Sequence, residues 1–393
     1  MFGTPRIGGF NELKPTAGTR IRYAKPYYAD RIRAHTVIAG NSRPETGLNP
    51  QSACWPAAQE PVFNAAVPGA GLALQIAFAE HAMVTAEVTQ VYLALDFLDF
   101  LVDPEAPATA PAAHLFPNVN LRVGTRGIDN PGYARRRAAE WTQAMGSLAT
   151  LSDAMQTVLR QGEQYVTTRN TDGFNPGRHY VTIIRREGQA VLFRRKNSEL
   201  VRRLGPRDDA IFQAGEPWSS VFDTLDRFLD RVRSQKVDVT LFINPYHVDY
   251  LTVIRETARW SQLDDWKAIL AGIARRQRIP LWDFNAINRY TTEAPPDRGD
   301  RRRTVQAFWE PAHYRPEYGE LMLSAMLGSN CASSLARTKP VGVRLDQVAL
   351  APYLRTLRSA LDAHLARDTA ALARVRCLID RASMPGTCSS LGL

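Results

Sequence analysis

Five short runs of apolar and β-branched residues stand out along the chain, each of the length of a buried strand. They are Thr36–Ala39, Val62–Val67, Val88–Phe97, Val237–Asn244 and Ile279–Phe284. Segments with apolar positions at helical spacing separate most of these runs. Strands that are apolar almost throughout and alternate with helices predict a parallel sheet with helices on both faces.

The helical segments have clear bounds in the sequence. They are Leu72–Thr85, Ala134–Gly162, Trp218–Ser234, Asp249–Arg278 and Tyr318–Leu327. The tail from Val343 to Arg381 carries leucines three and four residues apart, which predicts a helix packed on the core. The predicted fold class is therefore α/β, a three-layer α/β/α sandwich with a five-stranded parallel sheet, formed as one domain by residues 1–393.

About 140 residues separate the third apolar run from the fourth. They include the polar segment Asn170–Tyr180, followed by the alternating residues Val181–Arg185 and Ala190–Arg194, which predict a hairpin. Long insertions at the carboxyl edge of a parallel sheet commonly carry active-site lids. We therefore expect residues 103–236 to form an inserted cap, and residues 343–393 to form a C-terminal helical segment.

The charge of the chain first suggests a nucleic-acid partner, because the formal net charge is +10 and the pI is about 9.6. The basic residues are mostly arginine, and the densest cluster comprises Arg298 and Arg301–Arg303. No such cluster is interleaved with aromatic residues, and no nucleic-acid-binding motif is present. We therefore expect no nucleic-acid partner, and attraction to an anionic surface or polysaccharide is favoured over it.

The sequence shows no segment that would place the chain in a membrane. No apolar run approaches 18 residues, and residues 1–19 lack the apolar stretch of a signal peptide. The four cysteines, Cys54, Cys331, Cys377 and Cys388, form no C-x-x-C pair, so we expect no structural zinc site. Two disulfides, one of them Cys377–Cys388, and four thiols remain equally open.

Three segments carry candidate chemistry. Ser42 follows the first strand in Gly40-Asn41-Ser42, where open α/β sheets place their ligands, although a helix cap explains the same pattern. Glu310 precedes His313 by three residues, so its carboxylate can accept from Nδ1–H and leave Nε2 as a base. Gly69 ends the second apolar segment, where its N–H can face an oxyanion, or it simply forms a turn.

Together these segments resemble the SGNH/GDSL hydrolase superfamily. Gly40-Asn41-Ser42 is similar to its nucleophile block, Gly69 to its second-block glycine, and Glu310-Pro-Ala-His313 to its acid-x-x-His block with Glu for Asp. GNSRPETGLNP, FNAAVPG and FWEPAHYRPEYGELML also resemble a bacterial branch of extracytoplasmic, often membrane-anchored proteins linked to acylation or deacylation of cell-surface polysaccharides. The resemblance implies a flavodoxin-like fold and a Ser42-His313-Glu310 triad.

One block of the superfamily is missing, because the third strand ends in Leu95-Asp96-Phe97 instead of a G-x-N-D sequence. The oxyanion hole would then rest on the N–H groups of Ser42 and Gly69, with Asp96 as an acceptor that orients Arg43. The expected substrate contacts are Arg43, Asn244, His247 and Tyr314. For Asn244 and His247, a capped turn with a surface histidine is an equally good interpretation.

The resemblance implies a serine-dependent esterase or O-acyltransferase that acts on acyl esters, acetyl esters first of all, of a carbohydrate or polysaccharide. It implies no metal and no organic cofactor. It also implies a periplasmic location, with membrane association through a segment outside this chain. The alternative, favoured by the missing block, is a non-catalytic carbohydrate-binding or polysaccharide-assembly component.

Overall fold

The computed structural model describes residues 6–15, 20–105, 120–124, 129–163, 169–205, 208–213, 215–329, 331, 333–335 and 341–383. Within them the fold is α/β, with a mostly parallel six-stranded sheet and a two-stranded sheet. The strands are β1 Thr36–Ala39, β2 Val62–Asn64, β3 Gln90–Leu95, β4 Asp238–Ile243, β5 Leu281–Asp283, β6 Phe308–Glu310, β7 His313–Tyr314 and β8 Val343–Arg344.

The described helices flank these strands in sequence. They are α1 Ile21–Ile32, α2 Ser42–Gly47, α3 Leu72–Thr85, α4 Tyr133–Gly146, α5 Leu148–Leu159, α6 Arg178–Glu187, α7 Gln189–Leu204, α8 Ser220–Ser234, α9 Val248–Glu256, α10 Trp260–Gln277, α11 Pro316–Leu327, α12 Leu350–Arg367 and α13 Thr369–Ser383. Short 3-10 turns lie at Ala57–Gln59 and Phe97–Asp99.

All five predicted strands are present, four of them shorter than predicted. The sheet has the order β2-β1-β3-β4-β5-β8, so the prediction of five strands is wrong by one. The additional strand, β8, pairs antiparallel with β5 through Trp282–Arg344 and Asp283–Val343. Two residues are too short a run for sequence periodicity to reveal.

The chain divides into two compact units. Unit 1 comprises Met1–Leu93, Thr109–Val181 and Asp223–Val239, and unit 2 comprises Ala94–Ala108, Thr182–Phe222 and Thr240–Leu393. The segment 103–236 is divided between them, and a cap formed by this segment stays a prediction. Part of the segment, residues 106–119 included, lies outside the described residues.

In unit 1, β1 pairs in parallel with β2 on one side and with β3 on the other. Helix α3 packs against β1 and α1. Its residue His81 is buried, with Nε2 3.2 Å from the carbonyl oxygen of Pro26 in α1. Its Nδ1 accepts from the N–H of Arg122 at 3.0 Å, which fixes a neutral ring that donates from Nε2.

Burial of this ring makes the stability of the protein sensitive to acid. Burial lowers the pKa of His81 to about 4, against the opposing effect of the Pro26 carbonyl and Asp30. Because the folded-state pKa lies below the unfolded value, stability is fully present above about pH 6.5 and is lost as the pH falls toward 4. From pH 7 to 5 the loss is about 2 kcal/mol.

We therefore expect the His81→Gln variant to lose less stability than wild type between pH 7 and pH 5, by about 2 kcal/mol. Urea denaturation at the two pH values measures both differences. An equal loss in wild type and in the variant would show that His81 does not titrate in this window.

In unit 2, β4 pairs in parallel with β5 through Leu241–Leu281 and Ile243–Asp283. Trp266 of α10 lies edge-on to Phe97 and Phe100, and Phe100 also contacts Phe222. This aromatic cluster is buried and fixes the segment that follows β3. In the C-terminal segment, α13 packs against α7, α9 and α12, and Leu357, Leu361 and Leu365 of α12 are buried, as the leucine pattern predicts.

Four predictions of secondary structure differ from the structure. The predicted helical run Ala134–Gly162 is two helices, α4 and α5, and the predicted helical tail Val343–Arg381 begins with β8 and continues as α12 and α13. The predicted hairpin at 181–194 belongs to helices α6 and α7, whose buried residues Ile184, Val191 and Leu192 follow helical spacing once the whole segment is included. The predicted single helix Asp249–Arg278 is two helices, because Ala258 adopts a φ of 59° between them. No helix among the described residues is long and apolar enough to cross a membrane.

Candidate active site

Ser42 is the first residue of α2, directly beyond β1. Asn41 caps this helix, since its Oδ1 accepts from the N–H of Arg43 at 3.1 Å. Ser42 is half-buried, and its carbonyl oxygen accepts from Thr46 Oγ1 at 3.2 Å. The capping function therefore belongs to the Asn41 side chain, and the Ser42 side chain is not the cap of α2. Arg43, an expected substrate contact, is buried.

A fully buried carboxylate holds α2 in place. Glu45 Oε1 lies 3.2 Å from Lys25 Nζ and 2.9 Å from Arg169 Nε, and Asn175 Nδ2 donates to Oε2 at 3.2 Å. Burial alone would raise the pKa of Glu45, but Lys25 and Arg169 lower it overall. Burial lowers the pKa of Lys25 to about 8, although Glu45 opposes that shift. The helix that carries Ser42 is thus fixed by buried charges.

The polar segment 170–177, predicted to lie in the cap, is largely buried beside α2 and β2 in unit 1. Asp172 accepts through its backbone oxygen from Asn64 N–H at 2.8 Å, and Asn175 N–H donates to the backbone oxygen of Glu45 at 3.0 Å. Gly173 has a φ of +85°, and a Cβ there would lie 2.0 Å from the Asn64 oxygen. The turn-forming residues therefore permit a close backbone approach.

The last residue of β2 contacts α2, and the segment after β2 forms a turn. Asn64 Nδ2 donates to the backbone oxygens of Pro44 and Leu48 at 2.9 and 3.0 Å. These two bonds fix the last turn of α2. Gly69 is exposed, has a φ of +64° and follows Pro68, and Ala70 N–H donates to Val67 oxygen. These features are those of a type II turn. The turn accounts for Gly69, and its part in an oxyanion hole stays a prediction.

In unit 2, Glu310 and His313 form a hydrogen-bonded pair on the turn between β6 and β7. Glu310 Oε1 accepts from His313 Nδ1, and Oε2 accepts from Ala312 N–H at 2.7 Å. Both side chains are buried, and Glu310 more completely than His313. Burial alone would raise the pKa of Glu310, but His313, Lys196 and the Ala312 N–H lower it overall. The carboxylate therefore stays ionised. Its hydrogen bond to Nδ1 orients the imidazole, and Nε2 is the ring nitrogen that Glu310 does not contact.

Asn244 and His247 support this turn from the loop that follows β4. Asn244 Oδ1 accepts from Tyr314 Oη at 3.4 Å, and its Nδ2 donates to Leu95 oxygen at 3.3 Å. His247 N–H donates to the backbone oxygen of Pro311, the residue between Glu310 and Ala312, at 3.0 Å. All three side chains, Asn244, His247 and Tyr314, are buried. Their contacts position the Glu310–His313 pair.

His247 is the N-cap of α9, as the capped-turn interpretation requires, but it is not at the surface. Its Nδ1 accepts from Asp249 N–H at 3.2 Å, and Nε2 lies 2.9 Å from the Glu293 oxygen. Burial lowers the pKa of His247, so the ring is neutral. Substrate contact through this ring would require one of these hydrogen bonds to break.

Gln189 is a positioning residue that the sequence interpretation missed. Its Nε2 donates to the backbone oxygens of Phe308 and Trp309 at 2.8 and 3.0 Å, and its Oε1 accepts from Val305 N–H at 2.6 Å. The side chain is completely buried at the start of α7. It anchors strand β6, and therefore Glu310. No local pattern distinguishes such a glutamine from a surface residue.

Asp96 directly follows β3, at the position where the resemblance leads us to expect a side-chain donor to an oxyanion. Its Oδ1 accepts from Leu98 N–H at 3.1 Å, so the side chain caps the 3-10 turn that follows β3. Phe97 N–H donates to Tyr246 Oη at 3.2 Å, which fixes the same loop. An orienting contact of Asp96 with Arg43 stays a prediction.

Two of the cysteines are oxidised. Cys54 of unit 1 and Cys331 of unit 2 are each disulfide-bonded, so neither offers a thiolate to a metal. The interpretation of four thiols is therefore wrong. Cys377 is buried in α13. The pairing Cys377–Cys388 stays a prediction, because Cys388 lies outside the described residues.

The structure brings together Glu310 and His313, and it joins Asn244, His247 and Tyr314 to their turn, all within unit 2. Ser42, Arg43 and Gly69 belong to unit 1. Comparison with protein-family models, with curated proteins and with solved structures finds no match. The resemblance to SGNH hydrolases therefore rests on the sequence segments alone.

Proposed function

We propose that this protein is an SGNH-type serine esterase or O-acyltransferase that acts on acyl esters, acetyl esters first of all, of a carbohydrate. The observation that carries the proposal is the Glu310–His313 pair. A buried, ionised carboxylate bonded to Nδ1 is the arrangement that prepares Nε2 to take a proton from a hydroxyl nucleophile. Four backbone and side-chain contacts, from Gln189, Asn244 and His247, hold that pair in place.

Ser42 is the proposed nucleophile. In the proposed reaction, Ser42 Oγ forms a bond to the ester carbonyl carbon while its proton passes to His313 Nε2. The bond to the leaving alkoxide then breaks, and His313 returns the proton to it. The N–H groups of Ser42 and Gly69 stabilise the tetrahedral oxyanion. Water or a sugar hydroxyl then attacks the acyl-enzyme, with His313 as base, to give hydrolysis or transfer. No metal or organic cofactor takes part in the proposal.

Two features of unit 1 support Ser42 in this role. Asn41, not Ser42, supplies the cap of α2, and the buried Glu45 cluster together with Asn64 fixes the helix. A nucleophile must be held in one geometry, and buried ion pairs with additional hydrogen bonds do so more firmly than exposed contacts. The disulfide bonding of Cys54 and Cys331 supports the proposed extracytoplasmic location, since disulfides persist in oxidising compartments.

Hydrolysis of p-nitrophenyl acetate by wild type, Ser42→Ala and Ser152→Ala tests the proposal. Ser152 is an exposed serine of α5 and provides the matched control for loss of a hydroxyl group in the same unit. We expect activity in wild type and Ser152→Ala, and none above background in Ser42→Ala. Intact-protein mass spectrometry should show an acetyl adduct on the first two proteins only.

The same experiment distinguishes the proposed enzyme from the alternative, a non-catalytic binding or assembly component. Equal rates in wild type and Ser42→Ala would refute the enzymatic proposal and leave a carbohydrate-binding or assembly component. A rate of ester loss that rises with added carbohydrate, together with acetylated sugar as product, would identify transfer. Release of acetate alone would identify hydrolysis.

A further inference from the structure

Unit 2 contains a cavity of about 300 Å³ that no residue of the proposed triad lines. Helices α7 and α13, the first turn of α9 and the loop 295–298 form its walls. Phe193, Pro295 and Pro296 give it apolar surface, and Arg194, Asn197 and Arg374 give it polar surface. This volume lies at the lower end of the range of roughly 300–1,000 Å³ for small-molecule sites, which are mostly apolar with a few placed polar groups.

Two buried acceptor atoms among the lining residues accept no hydrogen bond within the described part of the chain. Asn197 is buried and donates through Nδ2 to Asp249 Oδ2 at 3.0 Å, while its Oδ1 accepts no hydrogen bond. Asp249 Oδ1 is also buried without a hydrogen bond, although Arg374 Nη2 lies 3.6 Å away. Buried acceptors in native proteins are nearly always satisfied, so these two oxygens are candidate acceptors for the hydroxyl groups of a ligand.

The charges at the cavity favour an anion. Arg374 faces Asp249, which neutralises that carboxylate. The lining also contains one acidic and one basic residue in sequence, Asp297 and Arg298, so the charged side chains of the lining carry a net positive charge. Arg194 is half-buried, and among the described residues its guanidinium has no carboxylate partner. A guanidinium next to hydrogen-bond acceptors matches a carboxylate or phosphate that carries neighbouring hydroxyl groups.

We propose that this cavity binds a small hydroxylated anion of monosaccharide size, a sugar acid or a sugar phosphate. The anionic group pairs with Arg194, the hydroxyl groups donate to Asn197 Oδ1 and Asp249 Oδ1, and the apolar face of the ring lies against Phe193 and the two prolines. This site goes beyond the proposed esterase activity and does not depend on it.

Isothermal titration with glucuronate, glucose 6-phosphate, glucose and inorganic phosphate tests this site in the full chain. The Ser42→Ala background prevents turnover, so failure of the esterase proposal would not affect the result. Arg194→Gln removes the cation, and Arg195→Gln is the matched control, because Arg195 follows it on α7 but pairs with Glu187 at the surface. We expect Arg194→Gln to weaken binding of the sugar anions about tenfold or more, and Arg195→Gln to leave it within about twofold.

Tighter binding of glucuronate than of glucose 6-phosphate would assign a sugar acid, and the reverse order would assign a sugar phosphate. Absence of binding by both sugar anions would overturn the proposal. Equal affinity for inorganic phosphate and glucose 6-phosphate would also overturn it, because the hydroxyl contacts would then contribute nothing. Equal weakening by Arg194→Gln and Arg195→Gln would show unspecific attraction to a basic surface and would refute the site.

Discussion

Replacement of Glu310 by glutamine is expected to lower turnover of an acetyl ester by about 10³–10⁴-fold while the protein stays folded. Glu310 accepts two hydrogen bonds at once, from His313 Nδ1 and from Ala312 N–H. A glutamine has only one carbonyl oxygen for these two donors. If that oxygen keeps Ala312 N–H, its NH₂ group faces Nδ1 and forces the proton onto Nε2. The imidazole then has no lone pair toward the nucleophile.

Glu310→Asp is the control, because it keeps both acceptor oxygens and carries the residue that the SGNH pattern normally has. We expect it to retain far more activity than Glu310→Gln. Rates of p-nitrophenyl acetate hydrolysis and thermal melts of both variants give the comparison. If the loss of turnover in Glu310→Gln were no larger than its loss of folded protein, the role of Glu310 would be structural and not orienting. Wild-type turnover in both variants would likewise contradict an orienting role of Glu310 in catalysis.

The second large effect concerns stability. Glu45→Ala is expected to lower the free energy of unfolding by about 3–5 kcal/mol, since it leaves the buried cations Lys25 and Arg169 without their carboxylate. Chemical denaturation measures this loss. The destabilisation should appear together with a loss of esterase activity, because α2 carries both Glu45 and Ser42.

Two further variants make the result specific. Glu163→Ala removes an exposed carboxylate that pairs with Arg160 at the surface, and we expect no measurable change in stability. Lys25→Met added to Glu45→Ala should recover part of the lost stability, because one buried cation is then absent. If Lys25→Met lowered the free energy of unfolding of the Glu45→Ala variant as much as that of wild type, Lys25 and Glu45 would not be energetically coupled.

Strands β1 to β5 and the Glu310–His313 pair could be predicted from the sequence because their determinants are local. Thr36–Ala39 is an uninterrupted run of apolar and β-branched residues, and Glu310 and His313 are three residues apart on one turn. The alternation at 181–194 misled the prediction, since the two runs of five residues on either side of Gly188 fit both the strand and the helix period. Only the spacing of the buried residues over the whole of α7 identifies a helix.

The supporting contacts could not be predicted, because they depend on tertiary distance. Asn64 of β2 donates to Pro44 and Leu48 in the last turn and C-cap of α2. Gln189 donates to Phe308, which follows it by 119 residues in the sequence. On its composition, the polar segment 170–177 was expected to belong to the cap and not to the core. Its amides and carboxylate instead satisfy buried partners, a purpose that composition does not reveal.

The Glu45–Arg169 ion pair also sets an order of events during synthesis. Its two residues are 124 positions apart, so Glu45 leaves the ribosome long before Arg169, and only Lys25 of its two cationic partners has then been made. At about 5–20 residues per second, the delay is on the order of 6–25 seconds. During that time the contacts that Arg169 and Asn175 make with Glu45 are absent. We therefore expect α2, which carries the proposed nucleophile Ser42, to reach its final geometry late, only after the polar segment has emerged.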